Sequence, residues 1–596
     1  EKERNKRLKN NYGTNILLDS KVYQIYETGA LKAKSVYLYE ITSKNGIENY
    51  KEYDLGLSGN YSILKSEIIK KDKSVIPAER TGASFVFNGL EIGDVIYVDY
   101  ETTSTGSGRF FKDFVDSYQF DSESFCLKTS YTLITPKNLD FKYKVTNGTL
   151  EYTKKVEDKY DVHQWQLINA PELPKGEDYM PIASDYARYL HVSTIKSWSE
   201  IANWYSDLVR SQSVFNAEVE QKYKEIFPEK DVLSVSEEER AKRIYYYIMD
   251  NFTYSFVDFK QSGFIPQKPA KTISSKLGDC KDFSTLFATF ARRAGLDVNL
   301  VLVLTSDYGK KTLLLPSQNF NHCIVKIKLN GKDQFLELTD KNMPFKSIPN
   351  SLLNATVLEI PYKFEKNKEY NLFHLTNMDG NPSNLISEVF IKVDENNTQN
   401  ITINSKITGS LASIYFDILN QDNFELVKED ILQDFNQRIG EGLVLDTIQN
   451  ISAQKGAEFL TYTTKVHLDD KMNEMGAMTF FKLPIVSHGY NAGIISLEER
   501  KYAIDYQSYE NSNFYNTIYN LEIPTGKKFI EIPDNKKFTY KKHNFEVIYK
   551  AISENQLQIT IAAATDLSDI SQNEYIDFKS YVEKVLKSKD ILIGYK

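Results

Sequence analysis

Three side chains near the middle of the chain have the types and spacing for thiol chemistry. Cys280 lies in "KLGDCKDFSTLF", residues 276–287, where a turn rich in glycine and acid gives way to an apolar pattern of helical spacing. A thiol becomes a useful nucleophile when its pKa falls and a base stands close. At the first turn of a helix the free N–H groups carry partial positive charge, which favours a thiolate and can hold an oxyanion. The backbone N–H of Cys280 is the one oxyanion donor this pattern supplies. Gly278 is expected to let the chain turn tightly and to leave space above the sulfur. Asp279 and Asp282 suit a helix N-terminus. As anions they would raise the thiol pKa, so a protonated histidine is needed to outweigh them.

His322 follows 42 residues after Cys280, in "NHCIVKIKLNGKDQFLELTD", residues 321–340. Asn330-Gly331 reads as the two-residue turn of a β-hairpin. Counting outward, Leu329 pairs with Lys332, Ile324 faces Glu337 and His322 faces Thr339. Opposed residues share a face, as do residues two apart. His322, Glu337 and Thr339 therefore lie on one face, with Cys323, Val325, Ile327, Leu336 and Leu338 on the other, facing a core. A Glu diagonal to a His spans roughly 7–8 Å between backbone positions, within its reach. The count favours Glu337 over Asp340 as the carboxylate that orients His322. A four-residue loop keeps that parity, and a three-residue loop reverses it towards Asp340. Cys280, His322 and Glu337 form a thiol version of the nucleophile–base–orienter set, with Gly278, Asp279, Asp282 and Asp340 in supporting positions.

The remaining composition excludes other chemistries. Cys126 and Cys323 read as core thiols, and three cysteines make no disulfide framework. No C-x-x-C, H-E-x-x-H or phosphate-cradling glycine loop occurs, so neither metal nor cofactor is expected. The formal charge of −8 gives no reason to expect nucleic acid as a partner. No run of about 18 apolar residues is present, so no transmembrane helix is expected. The opening "EKERNKRLKN" has no apolar signal region.

The elements that must position these groups follow from periodicity. The chain's 596 residues suffice for roughly three to four domains. Residues 1–185 hold short alternating runs such as "KVYQIYETG", "DVIYVDYETT" and "LDFKYKVTNGTLEYTKKV", the pattern of an antiparallel β-sandwich-like domain. A Pro-rich linker, "NAPELPKGEDYMPIASDY", precedes a change of period. Ser197 with Glu200, and Ser236 with Glu239, have capping-box spacing at the start of two amphipathic helices. The helix after Cys280 presents Phe283, Leu286, Phe287, Phe290 and Ala294 on one face and ends at Gly295. "DVNLVLVLTS" reads as a buried strand before the hairpin. Residues 186–350 are thus expected to be an α+β core, 351–385 a connector, and 386–596 a C-terminal β-rich domain. One helix ("NFELVKEDILQDFNQRI") interrupts those last strands and another ("EYIDFKSYVEKVLKSK") lies near the C-terminus.

"GDCKDFSTLFATFARRAGL" followed by "FNHCIVKIKLNGKDQFLELTD" resembles the bacterial branch of the transglutaminase-like superfamily over about 70 residues, 276–345. The resemblance implies a papain-like fold, in which a helix presents the cysteine against a sheet carrying the histidine and acid. It implies Cys280 as nucleophile and His322 as base. The family acid usually stands in Asp-Pro-Thr. Here "LELTD" puts Glu337 at the acid position and Leu338 at the proline. "FVFNGLEIGDVIYVDYE" and "ERKYAIDY" resemble β-rich domains of unknown function that flank this core in Bacteroidetes-type proteins, which implies export to the periplasm or cell surface. The expected activity is a cysteine peptidase or amidase working through a thioester, on a peptide or protein amide, with glycan association a further expectation. The alternatives are a cross-linking acyl transferase and a non-catalytic binding or scaffold protein on the same fold.

Overall fold

The computed structural model describes residues 13–596 other than 257–260, 364, 366–367, 376–379, 440–442, 469–471, 485–488 and 511. The opening "EKERNKRLKN" lies outside the described residues. Among the described residues no helix is long and apolar enough to cross a membrane.

The chain is a multidomain mixed α/β protein, with β-rich regions on either side of an α+β core. In the N-terminal region an eight-stranded sheet runs from Glu151–Val156 at one edge to Val75–Pro77 at the other. Its strands are antiparallel except for Thr14–Ile25, which lies parallel to Cys126–Pro136. One half of this sheet packs on a three-stranded sheet through Tyr131, Leu133, Trp165, Leu190 and Val192. The other half packs on a second small sheet through Ile68, Ile96, Val98, Phe85 and Phe87. Sheet-on-sheet burial of alternating apolar residues is what the sequence pattern demanded.

The core combines a five-stranded sheet with several helices, three of which bear on the site. Helix α1 is Trp198–Gln212. Helix α2 is Glu237–Asn251. Helix α3 is Cys280–Arg293. Strands β1 Asp297–Leu304, β2 His322–Leu329, β3 Lys332–Leu336, β4 Thr356–Ile360 and β5 Leu372–His374 form one sheet in the order β3-β2-β1-β4-β5. Both serines read as helix starts are N-caps, Ser197 accepting from the Glu200 N–H and Ser236 from the Glu239 N–H. Every residue of α3 from Cys280 to Ala291 is buried, so α3 is the central helix of the molecule's middle. It packs on one face of the sheet with Leu300, Leu302, Cys323, Val325 and Ile327. Val301, Val303, Ile324 and Val357 fill a second cluster on the other face. A sheet covered on both sides explains why β1 reads as a continuous apolar run.

Two boundaries move relative to the sequence reading. The stretch 351–385 is not a plain connector, because β4 pairs with β1 and β5 with β4. Its strands are short and flanked by Pro and Asn, which hid them. At the other end Tyr189–Ser193 pairs with Lys142–Thr146 and Val115–Gln119, so it belongs to the N-terminal sheets although it follows residue 186.

The C-terminal region holds a second eight-stranded sheet, again with a single parallel pair, Asn384–Val393 beside Phe514–Glu522. The helix read at 423–439 is present as Phe424–Ile439. A further helix, α4, Ser410–Leu419, precedes it. Its Ile, Tyr and Phe content favours strands, which masked the helical spacing of the buried Ala412, Tyr415 and Leu419.

Candidate active site

Cys280 is the first residue of α3, and the turn before it explains why the helix begins there. Asp279 is the N-cap: its Oδ1 accepts the N–H groups of Lys281 at 3.1 Å and Asp282 at 3.2 Å. Asp282 returns the bond, its Oδ2 accepting the Asp279 N–H at 3.1 Å. This reciprocal box leaves the Cys280 N–H outside the set that Asp279 satisfies. The remaining oxygen of Asp279 pairs with the buried Lys281 ammonium. Asp282 Oδ1 accepts the Gln267 backbone N–H at 2.7 Å, and Oδ2 its side-chain amide at 2.8 Å. Both acids near the thiol are therefore committed to helix-start and loop partners.

Gly278 serves a purpose other than the one expected. Its φ is not among the left-handed ones, and a Cβ there would lie 2.8 Å from Phe283 Cε1 and 2.9 Å from Asp282 Cβ. The glycine makes room for the first turn of α3, not for space above the sulfur. Leu277–Gly278 also runs parallel to Thr253–Tyr254, which fixes the approach to the helix.

The hairpin count holds. Leu329 pairs with Lys332 and Val325 with Leu336, across a two-residue turn with Asn330 at φ 51° and Gly331 at φ 79°. Two left-handed residues in a row give the turn whose twist matches the flanking strands. The ladder ends at Leu336, and Glu337 follows directly. Its Oε2 accepts from His322 Nε2 at 2.7 Å. Its Oε1 accepts both the N–H and the hydroxyl of Thr339, each at 2.6 Å. His322 also stands near enough to Cys280 that each shifts the other's proton affinity. The structure thus brings Cys280, His322 and Glu337 into one row, with a hydrogen bond between His322 and Glu337.

Asp340 is not part of that row. Its Oδ2 accepts from Ser413 Oγ at 2.6 Å, and its Oδ1 from the Asn342 N–H at 2.9 Å. The two-residue turn sets the parity against it.

Burial and charge compete along the row. Burial would push the Glu337 carboxyl up, but the His322 charge and hydrogen bond, with Thr339, outweigh it and hold it below its ordinary value. Burial alone would lower His322. The neighbouring Glu337 carboxylate and the Cys280 thiol beside it reverse this and raise it well above 6.5. Burial raises the Cys280 thiol and His322 pulls it down, with burial ahead. The sequence reading left the balance to a protonated histidine outweighing the nearby acids. Desolvation adds to the opposing side, since Cys280 is only 3% exposed.

Gln267 and Lys281 escaped the sequence reading, and Thr339, placed on the His322 face, was given no task in it. The task of Thr339 follows from its place two residues after Glu337, where its N–H and hydroxyl reach the carboxylate. Gln267 reaches the site only through the fold.

Residues 230–337 match the transglutaminase-like superfamily. Residues 78–174 match a domain of unknown function, DUF3857. No curated protein matches the chain. A solved structure of a "putative protease" from Parabacteroides distasonis superposes with a TM-score of 0.60 at 12% identity, covering 98% of this chain and 99% of that one. A "putative cysteine protease" from Cytophaga hutchinsonii matches at a TM-score of 0.18 and 13% identity, over 44% of this chain and 84% of that one. The middle of the molecule is a transglutaminase-like core flanked by β-rich regions.

Proposed function

We propose that the transglutaminase-like core within this chain hydrolyses amide bonds of peptides through a thioester on Cys280. The observation that carries this reading is the His322 ring, hydrogen-bonded to the Glu337 carboxylate and electrostatically coupled to the Cys280 thiol beside it. The sulfur attacks the carbonyl carbon of the substrate as its proton passes to His322. The resulting oxyanion is met by the Cys280 N–H at the start of α3. His322 then gives the proton to the leaving amine as the C–N bond breaks, leaving a thioester. Water attacks that thioester, its proton going to His322. The C–S bond breaks, the acid departs and the sulfur recovers its proton. Glu337 holds the ring in the tautomer and orientation both halves need, and stabilises the imidazolium between them. The fold shared with a solved structure named a protease supports a peptide as the amide.

One observation favours a non-catalytic binding module instead: burial holds the Cys280 thiol above its ordinary value. Labelling with a peptidyl acyloxymethyl ketone separates the two. The hydrolase reading predicts labelling in the intact chain and in Cys280→Ala none, with Cys323→Ala labelled as before. Unchanged labelling in Cys280→Ala removes Cys280 from the mechanism. No labelling of the intact chain favours the binding module.

A further inference from the structure

The segment that carries Glu337 leaves the sheet at once and is held by a helix from outside the core. Asp340 accepts a hydrogen bond from Ser413 of α4 at 2.6 Å. Asn342 donates its side-chain N–H to Asp417 of α4 at 2.6 Å. Ser413 and Asp417 stand four residues apart, one turn of the helix, so one face of α4 grips the segment twice. Ser413 and Asn342 are buried, while their partners Asp340 and Asp417 are half-buried and exposed. Within the segment Asp340 also accepts from the Asn342 N–H, which makes residues 340–342 a rigid hook. The start of α4 is itself anchored. Gly409 precedes it at φ 70°, where a Cβ would lie 2.4 Å from the Ser383 N. The Ser383 hydroxyl then accepts the Ser410 N–H at 3.1 Å.

On the other side the core holds the same stretch through the Tyr245 hydroxyl, which donates to the Met343 carbonyl at 2.9 Å, and the Tyr246 hydroxyl, which accepts the Phe345 N–H at 3.1 Å. Glu337 is thus three residues from a hook that the C-terminal region fixes. Its only ladder support ends at Leu336.

We propose that α4 of the C-terminal region is a positioning element for the catalytic acid, with Ser413 and Asp417, through Asp340 and Asn342, holding Glu337 against His322. This deepens the hydrolase reading and rests on it. It assigns the C-terminal region a part in the chemistry beyond any binding of its own, and it gives Asp340 the task of coupling two regions. A shift of α4 would loosen the acid, lower the basicity of His322 and leave the thiol higher.

The test is the pH dependence of Cys280 alkylation by iodoacetamide, read on the Cys280 peptide by mass spectrometry. The full chain is compared with Glu337→Gln, Ser413→Ala, Asp417→Leu and the last two combined, with thermal midpoints in parallel. The expected result is that Ser413→Ala and Asp417→Leu each move the profile to higher pH, in the direction of Glu337→Gln. The double variant should be alkylated about tenfold more slowly at pH 7. Thermal midpoints should not rank the variants in the same order. Wild-type profiles with lowered midpoints would show that α4 only glues two regions together, and would overturn the proposal. If Glu337→Gln itself has the wild-type profile, the hydrolase reading fails and takes this one with it.

Discussion

The interface between α3 and the sheet holds two buried thiols, one at its end and one inside it. Cys280 and Cys323 belong to the same apolar cluster and are 3% and 1% exposed. Burial pushes both up. For Cys323 it wins outright, reaching about 12, with only the Ser284 hydroxyl and the Lys281 charge opposing. For Cys280 it is countered by His322. His322 and Cys323 are neighbours in sequence, yet the alternation of the strand turns the thiol into the core and leaves the ring for Cys280. The difference between an inert thiol and a candidate nucleophile here is one imidazole. Position at a helix start does not make up for desolvation by itself.

Removing the carboxylate behind that imidazole should erase most of the contrast. Glu337→Gln is expected to slow amide hydrolysis about a thousandfold, by losing the tautomer and the charge that Glu337 holds. Its stability effect has a defined pH window. Folding raises His322, so its contribution is full below its ordinary 6.5 and fades as pH climbs through the folded value. Folding lowers Glu337, so its contribution is full above its ordinary 4.5 and fades as pH falls through the folded value. The stability gap between the intact chain and Glu337→Gln should therefore be widest around pH 4.5–6.5 and narrow on both sides. Thermal midpoints measured across pH check this.

A smaller effect is expected at the turn that starts α3. Asp279→Ala removes the cap and the carboxylate facing the buried Lys281 ammonium. It should cost about 3 kcal/mol in chemical denaturation. It should also lower both thiols, because the Asp279 charge raises each of them. If only Cys280 responds, the two thiols do not share the field ascribed to them.

The hairpin was legible because its turn is two residues long and its faces alternate, so counting from Asn330-Gly331 reached Glu337 without any fold. The start of α3 was legible because its cap, its acids and its apolar spacing are all local. Gly278 was misassigned because the atoms it spares, Phe283 and Asp282, approach only once the helix forms. The thiol's desolvation was not legible because its burial comes from α3 packing against distant strands, which no local pattern reports. The role of Asp340 depends on Ser413, 73 residues on, in a helix written with strand-favouring residues.

The account stands most directly on one titration. Peptide-resolved alkylation of Cys280 and Cys323 is measured against pH in the intact chain and in His322→Ala. The prediction is that Cys280 reacts at lower pH than Cys323 in the intact chain, and that His322→Ala moves Cys280 up towards Cys323 while leaving Cys323 in place. Coincident profiles in the intact chain, or a Cys280 profile that His322→Ala does not move, would contradict it.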